Sequence, residues 1–167
     1  MAADPKKQLF PVSWQELHRD AKALAWRLNA GGPWRGIIAI TRGGLVPAAI
    51  VARELGIRLI DTVSIHSYAH MELGRSNVLK RPSVDLAKDG DPQGRWLIVD
   101  DLVDTGTTAK VVREMVPGAH FATVYAKPAG KPLVDTYVTE VSQDTWIMFP
   151  WDTEPQFAKP IAGDHAA

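Results

Sequence analysis

A chain of 167 residues with 46% hydrophobic content carries enough apolar material for one domain with a real core, and too much to stay largely disordered. Its 19 basic and 19 acidic side chains cancel, so no overall field draws it to nucleic acid or to anionic lipid. With no cysteine, disulfides, thiolate metal sites and a cysteine nucleophile are all excluded.

The opening "MAADPKKQLFP" lacks the apolar stretch of a secretory leader, and residues 1–10 are expected to fray. Ser13 followed by Glu16 reads as a capping box. Behind it Trp14, Leu17, Ala21, Leu24, Ala25 and Leu28 recur at helical spacing until Gly31-Gly32 ends the pattern. "GIIAI" at 36–40 predicts a short strand buried on both faces. "TRGGLVP" then leads into "AAIVARELG", a helix with Pro47 near its start and Gly56 at its end. Apolar runs such as "LVPAAIVA" at 45–52 fall far short of the ~20 residues a membrane helix needs, so a soluble protein without a membrane span is expected.

"IRLIDTVSI" at 57–65 is the next strand, after which the pattern dissolves from His66 to Gly94, with "VLKRP" a short strand and "KDGDPQG" turn chemistry. "RWLIVD" restores a strand, and a helix follows from Thr107 to Met115, stopped by Pro117-Gly118. "HFATVYA" and "TYVTEV" are two further strands, and the tail after Trp151 is irregular. No internal repeat or interior linker interrupts residues 11–167, which are read as a single domain. Alternating buried strands and helices predict an α/β fold, an open and mainly parallel twisted sheet flanked by helices. Ligands of such sheets bind beyond the carboxyl ends of the strands, so "TRGGLVP" and "DDLVDTGTT" should open on one edge.

The second of these loops carries the chemistry. A turn entering a helix offers unpaired backbone N–H groups and a dipole that favours an anion. Gly106 permits close approach, and Thr105, Thr107 and Thr108 add hydroxyl donors, which together make a phosphate cradle. Neither a Gly-Lys-Ser/Thr loop nor a GxGxxG pattern is present. Asp100, Asp101 and Asp104 would repel a phosphate unless sugar hydroxyls and a Mg²⁺ intervene. A capped helix with solvated acids is the plainer alternative, and three acids with Gly-Thr-Thr at a buried strand end fit it poorly. The ligand that meets all three demands is a phosphorylated ribose bearing a diphosphate. Arg42-Gly43-Gly44 could grip a diphosphate or merely form a turn, and a lone Lys127 at a strand end is usually solvated.

"LIVDDLVDTGTTA" resembles the signature of the purine phosphoribosyltransferases. "TRGGLVPAAIVARELGIRLIDTVSI", "AKPAGKPLVDTYV" and "DTWIMFPWD" are similar to the bacterial branch of that family that uses guanine and xanthine, and the likeness runs from about Trp14 to Ile161. The resemblance implies the type I phosphoribosyltransferase fold, with a small base-binding hood built from terminal segments at about 127–160. It implies transfer of phosphoribosyl from phosphoribosyl diphosphate to guanine or xanthine, and less well to hypoxanthine, through an oxocarbenium-like state with Mg²⁺ as cofactor.

Residue by residue, Asp100 and Asp101 would hold ribose hydroxyls and metal, Asp101 being the metal contact, while Asp104 would carry a proton beside N7. Leu102, Val103, Thr105, Gly106, Thr107 and Thr108 would complete the phosphoribosyl-binding stretch. Arg42 and Gly43 would bind diphosphate, with a cis Thr41–Arg42 peptide. Lys127 would donate to O6, and Trp146 and Ile147 would flank the base. Residues 66–80 would form a mobile cover, with Arg75 reaching diphosphate. Met148 stands where a carboxylate is expected. The family is typically a cytoplasmic homotetramer, sometimes found peripherally at the inner membrane. Two alternatives remain at this point: a hypoxanthine-guanine enzyme, and a sensor of phosphoribosyl diphosphate that binds RNA or DNA, which would need a basic stripe.

Overall fold

Ser13 starts the first helix as its spacing predicts: its hydroxyl accepts the Glu16 N–H at 3.2 Å, and the Glu16 carboxylate accepts the Ser13 N–H at 2.7 Å. The computed structural model describes residues 8–67, 76–83 and 95–152. Within these the elements are β1 (Gln8–Pro11), α1 (Trp14–Asn29), β2 (Trp34–Thr41), α2 (Leu45–Leu55), β3 (Ile60–Ser67), β4 (Ser76–Lys80), β5 (Arg95–Val103), α3 (Thr107–Met115), β6 (His120–Ala126), β7 (Thr136–Glu140) and β8 (Thr145–Met148), with one 3-10 turn at Lys131–Leu133.

The expected open, mainly parallel sheet forms, in the order β4-β3-β2-β5-β6-β7. Only β4, at the edge, runs antiparallel among the described strands of this sheet. Period-two alternation divides the central strands between two cores. Ile37, Ala39, Leu97 and Val99 face α1 and α2, while Ile38, Ile40, Trp96 and Ile98 face the side closed by Ala109 and Val112 of α3. Strands buried on both faces read as unbroken apolar runs, which is why "GIIAI" and "WLIV" show no polar alternation.

Two expectations are corrected. Residues 8–10, expected to fray, belong to β1, which pairs in parallel with β8 from Gln8↔Thr145 to Pro11↔Met148. The distant return of the chain, rather than local propensity, orders this two-stranded sheet. The stretch from His66 to Gly94, where the sequence pattern dissolves, is more regular at its start than expected: His66 and Ser67 extend β3, and Ser76–Lys80, overlapping the short strand expected at "VLKRP", pairs back on it as β4. Asp61 pins this hairpin, accepting from Lys80 Nζ at 3.0 Å and from the Ser83 N–H at 2.6 Å. Residues 68–75, and with them Arg75, lie outside the described residues.

Connections from β2 pass to β3 on one side, while β5 continues to β6 on the other. The order of the sheet therefore reverses between β2 and β5, which is where open α/β sheets place their ligands. β2, β5 and β6 end at Thr41, Val103 and Ala126, so the loops that follow them converge on one edge.

Candidate active site

Two facts of packing build the first half of the site. The turn after β2 carries Arg42 exposed to solvent, and the Thr41–Arg42 peptide is cis, as expected. A side chain at Gly43 would collide with the carboxylate of Asp101, so the main chain of this turn lies directly against the tip of β5. That contact needs a residue with no Cβ, which is the reason a glycine follows the arginine.

Asp100 and Asp101 sit side by side and half-buried at that tip. Desolvation, and then the neighbouring charge of Asp101, raises Asp100 well above the ordinary carboxylate range. Asp101 is pushed up to about 6, again first by burial, with the charge of Asp152 adding to the rise. Two carboxylates that resist ionisation beside each other make a place suited to a cation or to hydroxyl donors.

Leu102 and Val103 send their side chains into the two cores, so what they offer a ligand is main chain. Beyond them the chain turns through Gly106, whose φ of +87° lies in the left-handed region, and enters α3 with no side chain capping its first N–H groups. The hydroxyls of Thr105 and Thr107 lie 3.1 Å apart, with Thr108 half-buried behind them. An uncapped helix N-terminus beside hydroxyls is suited to an anion by electrostatics and by donor count.

The second half of the site is assembled by the loop after β6. Lys127, which sequence reasoning alone leaves solvated, is 2% exposed. Its main-chain N–H donates to Val103 O at 2.9 Å, and its ammonium meets Asp104 Oδ2 at 3.2 Å. Asp104 itself is half exposed, with its other oxygen accepting from Gln143 at 2.8 Å.

Trp146 and Ile147 lie on β8 and point to opposite faces: Ile147 is buried in the core while Trp146 is half-buried. Carbonyls along a strand alternate in direction. Those of Asp144 and Met148 accept N–H groups of Gln8 and Val12, on the β1 side, so that of Ile147 faces the edge of β8 that no described strand pairs with. Met148 contributes no charge.

Two residues not singled out from the sequence belong to this neighbourhood. Asp152 acts on both Asp101 and Arg42 through its charge, and Gln143 bridges Asp104 to the Ala129 N–H. Both reach the site by the return of the chain after β7, a distance that no local motif encodes. Among the described residues, no group of three or more His, Asp or Glu forms a self-sufficient metal cage.

A family model described as a phosphoribosyl transferase domain matches residues 13–158. The xanthine-guanine phosphoribosyltransferase of Desulfotalea psychrophila is 62% identical over 163 residues, covering 96% of this chain and 97% of that relative. The enzyme of the same name from Nitratidesulfovibrio vulgaris is 62% identical over 160 residues, covering 95% of this chain and 94% of that relative. Among solved structures, a purine phosphoribosyltransferase from Pyrococcus horikoshii is similar with a TM-score of 0.75 and 31% identity, over 91% of this chain and 99% of that one.

Proposed function

The chain belongs to the phosphoribosyl transferase domain family, and from that premise we propose that it transfers phosphoribosyl from phosphoribosyl diphosphate to guanine and xanthine, releasing diphosphate. Hypoxanthine is a poorer acceptor in this reading. The observation that carries it is the donor–acceptor pair beside the phosphate loop, Lys127 Nζ and Asp104 Oδ2 at 3.2 Å.

A 6-oxopurine presents the complementary pair, an O6 acceptor next to an N7–H donor. Lys127 has only donors, so it suits O6 and has nothing to accept from the 6-amino group of adenine. The outward-facing carbonyl of Ile147 suits the 2-amino group of guanine, and hypoxanthine offers it no donor. Xanthine's 2-oxo group would be met through water, without help from a charge at Met148. Trp146 supplies an aromatic face for the base.

The uncapped start of α3, with Thr105, Thr107 and Thr108, takes the 5′-phosphate, and Arg42 with the Gly43 main chain takes the diphosphate. Asp100 and Asp101 accept from ribose hydroxyls. The same pair fits Mg²⁺, which is held through one or two carboxylates together with ligand phosphates and needs no all-protein cage. Asp101 would be its contact, and the ion when bound would supply electrostatic neutralisation of the leaving diphosphate. As N9 of the base closes on C1 and the bond to diphosphate breaks, Asp104 takes the N7 proton and Lys127 steadies the charge gathering on O6. No covalent enzyme intermediate is required.

We also place the protein in the cytoplasm as a homotetramer. Support for association comes from exposed Trp14, Trp26, Leu59, Ile60 and Leu79, which a second subunit could cover; no described helix is long and apolar enough to cross a membrane.

The test is product formation from phosphoribosyl diphosphate and Mg²⁺ with each of guanine, xanthine, hypoxanthine and adenine. GMP and XMP should form faster than IMP, and AMP should not form. Use of adenine, or no nucleotide from any base, would overturn the reading.

A further inference from the structure

Gln143 stands in the turn before β8 with both ends of its amide engaged. Oε1 accepts the Ala129 N–H at 2.9 Å, and Nε2 donates to Asp104 Oδ1 at 2.8 Å. A main-chain N–H can only donate, so it draws the amide oxygen to Ala129 and leaves the NH₂ group facing Asp104. That donor suits a carboxylate oxygen, which accepts. Lys127 holds the other oxygen of the same carboxylate. Asp104 is thus gripped at both oxygens even though half its side chain is exposed, where a lone aspartate would sample several rotamers.

What Gln143 is attached to matters as much as what it touches. Its turn is stiff: the Thr145 N–H returns to Ser142 O at 3.1 Å, the hydroxyls of Ser142 and Thr145 lie 2.7 Å apart, and Asp144 O accepts from the Gln8 N–H at 3.2 Å. Three and four residues beyond Gln143, β8 carries Trp146 and Ile147. Ala129, at the other end, belongs to the turn in which the Gly130 and Lys131 N–H groups both return to Lys127 O. One amide therefore joins the segment that carries the base platform, the turn that carries the lysine, and the acid between them.

We propose that Gln143 is a positioning residue for proton transfer, holding the Asp104 carboxylate aimed at N7 of the base and in register with Lys127 and Trp146. The inference rests on the phosphoribosyl-transfer reading above. In the step it serves, N9 bonds to C1, the C1–oxygen bond to diphosphate breaks, and the N7 proton passes to Asp104. Because Gln143 occupies Oδ1, Oδ2 is the oxygen that receives the proton, and Lys127 leaves that oxygen for O6 when the base enters.

The test compares single-turnover rates of wild type, Gln143→Met and Gln143→Glu, at saturating phosphoribosyl diphosphate and Mg²⁺, on guanine and on 8-azaguanine. The ring proton of 8-azaguanine is more acidic and leans less on a well-placed base. Methionine keeps the reach and loses both hydrogen bonds; glutamate keeps the shape but sets an acceptor against an acceptor. Gln143→Met should slow guanine by about ten- to a hundredfold, part of what a positioned acid–base group contributes. The loss on 8-azaguanine should be several-fold smaller, and the affinity for phosphoribosyl diphosphate unchanged. Gln143→Glu should be no faster than Gln143→Met.

Equal losses on the two bases would make Gln143 a mere tether, and unchanged rates or a fully active Gln143→Glu would likewise overturn the proposal. If wild type forms no GMP from guanine, it is the phosphoribosyl-transfer reading that fails; if wild type is active and Gln143→Met matches it, only the present inference does.

Discussion

Lys127 is buried to 2% exposure, and its ammonium meets a half-exposed aspartate. The arrangement leaves the ammonium ready to exchange one acceptor for another. Lys127→Ala should lower kcat/KM for guanine by about tenfold to a hundredfold, the worth of a charge-assisted hydrogen bond, and should erode the preference for guanine over adenine. Competition assays read this directly, and an unchanged preference would move the base pocket elsewhere.

Asp101 predicts a trade of activity for stability. Its folded pKa of about 6 lies above that of an unfolded aspartate, so the folded state binds the proton more tightly and loses stability as pH rises from about 4 to 6. Asp101→Asn cannot ionise and escapes that loss. The ligand-free variant should be more stable than wild type at pH 7.5, by roughly 1–2 kcal/mol, and the gain should vanish below pH 4. Turnover should fall about a hundredfold or more at limiting Mg²⁺. Denaturant melts at the two pH values, with assays alongside, decide it. The acids and threonines of this loop were legible because they are contiguous and have a shared chemical purpose. Gln143 and Asp152 were not, because an isolated glutamine or aspartate in a turn carries no signal until the chain has folded back.

Helices and strands whose apolar faces are continuous were equally plain in the sequence, since burial on both sides of a sheet leaves unbroken runs such as "WLIV". Ile98, with no exposure, should cost about 2–5 kcal/mol on substitution by alanine, read as a shift in urea midpoint. What sequence could not disclose was elements that exist by pairing. β1 is short and is ordered by β8 rather than by periodicity of its own; "VLKRP" did mark a strand at β4, but not its antiparallel pairing with β3.

At the end of α3 a side-chain clip does similar work. Asp135 accepts from the Phe121 N–H and from Arg113, both at 2.8 Å. Partial burial would raise its carboxyl, but the Phe121 N–H and Arg113 outweigh that and hold it below the usual range. With its folded pKa depressed, the stabilisation is present above the unfolded pKa and is lost as pH falls through the folded one. Asp135→Asn should therefore cost about 0.5–1 kcal/mol at pH 7, a figure kept small by solvent screening, and nothing near pH 2. Thermal melts across that range would show whether the clip contributes.

At the level of the molecule, the proposed function would draw on two sheets. Phosphate, diphosphate and ribose would lie at the edge of the large sheet, and the base between Asp104 and Lys127 at that edge and Trp146 and Ile147 on β8. Gln8 lies against Thr145, so pairing β1 with β8 joins the two most distant described stretches of the chain. Loop closure of that span is the costliest among the described strand pairings, and it gains its reward only after the central strands are in place. On a ribosome β1 would wait for β8. Selectivity for the base is then the final property to mature, acquired after the ability to hold the sugar phosphate. Pulse-labelled hydrogen exchange during refolding should find the amides of 36–40 and 96–100 protected before those of 8–10 and 145–148. The reverse order would mean that the chain chooses its purine before it can hold the ribose.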